Sequence, residues 1–162
     1  MYKKFKKLYR RLNPFIKVIK VVFGGDCSLE RHGNCIDIVN GYSIGADICN
    51  EVRFICTGLH ATLPKHYRGV LHQRSSTAKK WNCIPAGGYG EIEWNYSGEW
   101  LGSVMFTKAT FIPSGTRTHQ FHIEPVWDAP WYVKLTDIFS IFVFEEVKEL
   151  TTSRGGLGST GV

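Results

Sequence analysis

No acidic residue stands in the first 25 positions of this chain, and Asp26 is the first. Eight cations fill that space: Lys3, Lys4, Lys6, Lys7, Arg10, Arg11, Lys17 and Lys20. The twelve other Lys/Arg meet all fourteen Asp/Glu, so the formal charge of +6 is local to one end. A field of this kind attracts polyanions such as lipid headgroups or nucleic-acid phosphates and carries no information on fold.

Other absences narrow the function further. Cys27, Cys35, Cys49, Cys56 and Cys83 are odd in number and contain no C-x-x-C pair. They read as reduced thiols that pack rather than bridge, with no metal site. Residues 14–23 are apolar but interrupted by Lys17 and Lys20, which excludes a signal peptide or a membrane span. The Asn95-Tyr-Ser97 sequon then has no route to a secretory lumen. H-E-x-x-H, G-x-S-x-G, Walker and G-x-G-x-x-G patterns are all missing. His119 and His122, three apart in an expected strand, point to opposite faces and cannot share a metal. Composition thus predicts no catalytic residues, no metal, no cofactor and no enzyme.

What is present fills one domain. An apolar share of 43% and an aromatic share of 14% suffice for a core. The expected organisation is an arm with a first strand over 1–23, one α+β domain over 24–150, and a flexible Gly/Ser/Thr-rich tail over 151–162. Within the arm, Tyr2, Phe5, Leu8, Tyr9 and Leu12 recur at helical spacing among the cations, and Pro14 ends that helix. Residues 15–23 fit a strand. A second helix is expected from Ser43 to the stop at Gly58, on the stripe Ile44, Ile48, Val52 and Ile55. Residues 60–88 read as a long irregular stretch. Alternation predicts strands over 91–96, 103–112 and 120–126, then a helix running into a strand over 134–149. The fold class is α+β, an antiparallel sheet with a helix before it and a helix and strand after it.

Two regions are candidate contact sites. The amino-terminal set Lys3, Lys4, Phe5, Lys6, Lys7, Leu8, Arg10, Arg11 and Leu12 suits an anionic membrane, apolar stripe down. Lys65, Tyr67, Arg68, Arg74, Lys79, Lys80 and Trp81 interleave cations with aromatics, which suits stacked bases and phosphates. Charge alone does not choose between lipid and nucleic acid.

Tyr42-Ser43 opening a helix, Leu59-His-Ala-Thr62 with Pro64, the strand at 91–96 with Ser97-Gly98, Val126-Trp127-Asp128, Lys134-Leu-Thr-Asp137 and Phe144-Glu-Glu146 follow one another in an order that resembles rhabdovirus matrix proteins. The resemblance spans roughly residues 42–147. It implies a non-enzymatic virion protein, peripheral on the inner membrane face and in the host cytoplasm. Its implied partners are an anionic membrane surface, the viral nucleoprotein–RNA complex, further copies of itself and host proteins. No P-P-x-Y or P-[ST]-A-P motif is present. A small matrix-related accessory protein and a basic nucleic-acid-binding capsid module stand as alternatives.

Overall fold

β-Branched residues govern the architecture from the first strand onward. The computed structural model describes residues 13–47 and 50–150. In β1 (Ile16–Phe23), Ile19 and Val21 are buried while Lys20 between them stays in solvent, the alternation of a half-buried strand. Ten further strands and one short helix follow: β2 (Ser28–His32), β3 (Cys35–Val39), β4 (Ile44–Ala46), β5 (Val52–Thr62), β6 (Tyr67–Gln73), α1 (Ser75–Trp81), β7 (Cys83–Pro85), β8 (Gly90–Glu93), β9 (Glu99–Phe106), β10 (Thr110–Ile112) and β11 (Arg117–Pro125). The described part closes with α2 (Trp131–Asp137) and β12 (Ile141–Glu146).

Two five-stranded sheets, ordered β12-β1-β5-β9-β7 and β2-β3-β11-β6-β8, are joined by a two-stranded ribbon of β10 and β4. Every pairing is antiparallel except β1 with β12. The main core lies between the large sheets. Ile19, Val21, Leu59, Ala61 and Trp100 come from the first, and Ile38, Leu71, Ile92 and Phe121 from the second. Trp100 meets Phe121 edge-on at 5.0 Å, a geometry favoured by the ring quadrupoles. A smaller cluster of Ile55, Cys83, Val104, Phe106 and Ile112 extends it.

This mostly-β architecture overturns the α+β expectation. No helix covers the described residues between Ser43 and Gly58, because β4 and β5 occupy that stretch. Ile44, Val52 and Ile55 match helical spacing, but branching at Cβ favours the pleated sheet. Gly58 is no helix stop. It sits inside β5 at φ +82°, where the pairing with β9 shifts register. The stretch 60–88 is also ordered, as the end of β5, then β6, α1 and β7. The proposed boundary at residue 23 falls at the end of a strand hydrogen-bonded to both β5 and β12, so β1 belongs to the sheet. The helix-then-strand reading of 134–149 has the order of α2 and β12 but not their bounds, since α2 ends at Asp137, where the helix was expected to begin. The basic arm and the expected flexible tail lie outside the described residues, and among the described residues no helix is long and apolar enough to cross a membrane.

Three backbones cross where the sheets approach each other. The Gly24 N–H donates to Gly58 O at 2.8 Å, and the Gly41 N–H donates to Thr57 O at 2.9 Å. A Cβ on Gly41 would stand 2.0 Å from Gly24 O, a backbone atom that cannot swing aside. Gly41→Ala should therefore lower stability by about 1–3 kcal/mol or more, read as a shift in the urea midpoint. An unchanged midpoint would mean that the crossing is not tight.

Candidate active site

Strand alternation places charged and amide side chains together on the outer face of the second sheet. Gln120 stands opposite both Asp37 and His72, and Asp37 opposite Glu30. The next rows bring His122 beside Val70 and Glu91, then Glu124 and Glu93 beside Arg68. Residues directly opposite in a ladder share a face. The inward residues between them, Leu71 and Phe121, belong to the core.

The face has two chemical ends. At one, Asp37 is buried beneath two guanidinium groups, with Arg74 Nε at 3.0 Å and Arg117 Nη1 at 3.5 Å from its Oδ2. Arg117 also reaches Glu30 at 3.0 Å. The hydrogen bond from His32 leads, and the Arg117 charge adds, in holding the Glu30 carboxyl below its usual range. Ser75 and Ser76 follow Arg74 and are exposed at the start of α1. At the other end, Arg68 is gripped by Glu91 at 2.7 Å and Glu124 at 2.8 Å, with Glu93 opposite it in register. Between the ends, the rings of His72 and His122 stack at 5.2 Å. Burial, then the neighbouring His122, pushes His72 below the usual histidine range.

A connection that crosses from the second sheet to the first borders the acidic end. β8 and β9 are joined through Tyr96, whose N–H donates to Glu93 O at 3.1 Å and whose hydroxyl donates to Glu99 O at 3.0 Å. The carboxylate of Glu99 accepts from Gly58 N at 2.7 Å, and Trp94 O accepts from Leu63 N at 3.1 Å. The connection is thus fastened on both flanks, which fixes Glu93 at the sheet edge.

Beneath the arginine end lies a buried polar seam. The Thr118 hydroxyl donates to Asn40 Oδ1 at 2.8 Å and lies 2.9 Å from His119 Nδ1, while the Thr77 hydroxyl donates to Thr118 O at 2.9 Å. Desolvation pushes His119 down to about 4. The unfolded chain, with an ordinary histidine near 6.5, takes up that proton more readily. Stability from this group is complete above about pH 6.5 and is lost as pH falls toward 4, by about 3 kcal/mol at most. Urea midpoints between pH 8 and 4.5 should show this fall, and His119→Gln should flatten it. An unflattened curve would assign the acid sensitivity to other groups.

The structure disperses the contact sites expected from sequence. Tyr67 is 1% exposed, packed edge-on against Phe142 at 5.5 Å, and is not available to a partner. Arg68 and Arg74 join the polar face at opposite ends. Lys79 and Lys80 lie in the last turn of α1, where Lys80 covers the Trp81 ring at 5.1 Å, and Lys65 lies in the turn before β6. The set from Lys3 to Leu12 lies outside the described residues. Sequence reading missed Asp37, Glu93, Tyr96 and Gln120. The alternation of Gln120, His122 and Glu124 with Phe121 and Ile123 was the available signal.

The described cysteines Cys27, Cys35, Cys56 and Cys83 are free thiols. Burial pushes Cys27 up to about 12 and Cys83 to about 11, so neither is a nucleophile at neutral pH. Among the described residues no group of three or more His, Cys, Asp or Glu is placed to hold a metal ion.

No family model and no curated protein matches the chain. Solved structures do. The dUTPase of Staphylococcus bacteriophage 80alpha, solved with dUpNHpp, superposes with TM-score 0.58 at 18% identity over 89% of this chain and 98% of that one. The dUTPase of Streptococcus mutans gives 0.59 at 16% over 68% and 98%, and the EIAV dUTPase 0.53 at 21% over 70% and 95%. A dUTPase of phage phi11 of S. aureus, which coordinates a structural Mg(II) ion, gives 0.57 at 18% over 69% and 93%. This chain has the fold of those enzymes.

That fold overturns the rhabdovirus matrix reading and its accessory and capsid alternatives. The helix from Ser43 that opened the resemblance is two strands, and the remaining agreements are short runs. The implied partners fall with it: an anionic membrane surface, a nucleoprotein–RNA complex, self-association in a virion and host proteins. The expectation of a non-enzymatic protein is corrected as well, since the structural neighbours are enzymes. Nor do the described residues offer a ready ligand set for a resident ion like that of the phi11 enzyme.

Proposed function

We propose that this chain hydrolyses a phosphoanhydride bond of dUTP. The observation that carries the reading is the superposition on a dUpNHpp-bound dUTPase across 98% of that chain. The charged face supplies groups of the required chemistry. Arg74 and Arg117, half-buried over Asp37, offer planar guanidinium donors to phosphate oxygens, with Gln120 and the Ser75 and Ser76 hydroxyls beside them. Glu93, fixed at the sheet edge beside the β8–β9 connection, is the carboxylate assigned to orient and deprotonate the attacking water. Tyr96 braces that connection, and burial raises its hydroxyl above the usual range, so it remains protonated.

Glu93 pairs with Arg68, six residues before Arg74 on β6, a separation of roughly 20 Å at about 3.3 Å per residue. That distance favours a site completed by a second copy, the β8 end of one meeting the arginine end of the other. Residues 151–162 contribute by their sequence: four glycines, five Ser/Thr and Arg154. Backbone N–H groups unobstructed by side chains, together with one guanidinium, suit a triphosphate.

The test is release of inorganic phosphate or pyrophosphate from dUTP, dCTP, dTTP and UTP by the purified full chain. Turnover of dUTP in preference to the others is expected. A folded protein that neither binds nor hydrolyses dUTP would end the proposal.

A further inference from the structure

One helix of this fold shows its apolar side to solvent. In α2 and the turn after it, Trp131, Tyr132, Leu135, Ile138 and Phe139 are between 53% and 76% exposed. The side facing the protein carries Val133, Thr136 and Asp137. Trp131, Leu135 and Ile138 follow one another at helical spacing, so the exposed residues form a stripe that ordinarily lies against something apolar.

The chain itself leads to this stripe. Residues 13–15 enter the described structure at its rim, where Phe15 packs edge-on against Phe139 at 6.1 Å and Phe15 O accepts from Ile141 N at 2.7 Å. Immediately before them in sequence stand Tyr2, Phe5, Leu8, Tyr9 and Leu12, spaced to form an apolar stripe of matching period, among six Lys/Arg and no acid. Residues 126–150 hold five acids against two lysines, a net −3, while residues 13–125 carry +2. The apolar residues of 2–12 thus precede in sequence the point at which the chain meets the exposed α2 stripe, which belongs to the acidic stretch 126–150.

We propose that residues 1–12 dock, apolar stripe inward, on the α2 face of their own chain. At about 1.5 Å per helical residue, eleven residues reach roughly 16 Å, three turns, comparable with the length from Trp131 to Phe139. The net negative charge of residues 126–150 complements the six cations of the arm. The arm is thereby a cover for α2, and its charge is spent within the molecule. This inference does not depend on the nucleotide chemistry above.

A photoreactive phenylalanine analogue at Phe5 in the full chain tests it, with crosslinked peptides identified in a mixture of isotopically heavy and light protein. Intrachain products within residues 127–141 are expected. Deleting residues 1–12, or the double substitution Phe5→Ser with Leu8→Ser, should speed amide exchange over 131–139 by about tenfold or more, without changing the mass of the particle. Three results would each overturn the proposal: crosslinks confined to other surfaces, purely interchain products, or exchange that both variants leave unchanged. Purely interchain products would assign the α2 face to a second copy.

Discussion

Glu93→Gln is expected to lower turnover of dUTP by about 10²- to 10⁴-fold, the range a positioned general base contributes. The substitution keeps the shape of the side chain and removes its charge. Glu93 is exposed on β8, an edge strand of the second sheet, so the core and the thermal midpoint should be untouched. Affinity for dUpNHpp should be retained or rise slightly, because a carboxylate near a polyphosphate repels it in the ground state. Glu91→Gln is the internal control. Glu91 is a partner of Arg68 at 2.7 Å and is half-exposed, so its loss should cost little stability and little rate. Full turnover by Glu93→Gln would remove the β8 carboxylate from the mechanism and direct the search for the base elsewhere on the face.

Truncation after residue 150 should be comparably damaging to catalysis and harmless to the fold. The described sheets close without residues 151–162, since β12 ends at Glu146 and Val147 N–H donates to Val21 O at 2.9 Å. Residues 151–162 carry one cation, Arg154, with the four glycines. If they cover the triphosphate, losing their donors should reduce kcat by about 10²-fold or more, the cost of removing one preorganised donor from a developing oxyanion. Arg154→Ala alone should reproduce part of the loss, and its defect relative to the intact chain should shrink as salt rises and screens the charge. A truncated chain with full activity would confine the catalytic groups to residues 1–150.

Both predictions rest on residues whose meaning the sequence displayed unevenly. Strand character near β8, β9 and β11 was legible because Ile92, Val104 and Phe121 alternate with solvent-facing neighbours, but the expected single strand over 103–112 is two, β9 and β10, in different sheets. A helix before a strand was legible near α2 and β12, although α2 ends at Asp137, where the helix was expected to begin. β6 was not. Gly69, Val70 and Leu71 are all buried in succession, and its outward residues Arg68 and His72 are charged or titratable, so the segment reads as polar loop. Those polar residues are the candidate site, which is why local pattern fails there. The missing helix at 43–57 has a different cause. Ile44, Ile48 and Val52 at four-residue spacing satisfy helical and strand templates alike, and the pairings of β4 with β10 and of β5 with β9 decide between them.

Sequence by itself determined the run of unopposed cations in residues 1–20, the lack of a C-x-x-C pair, and the period-two alternation of the strands it revealed. Each of these is a property of neighbours along the chain. Tertiary structure alone decided that Asp37, Arg74, Arg117 and Gln120 meet, because β3, β11 and the residue after β6 must be laid side by side before those groups come together. It alone also decided that Tyr67 is core and that α2 turns its apolar side outward. Long-range pairing is set by which faces bury together, and no window of adjacent residues contains that information.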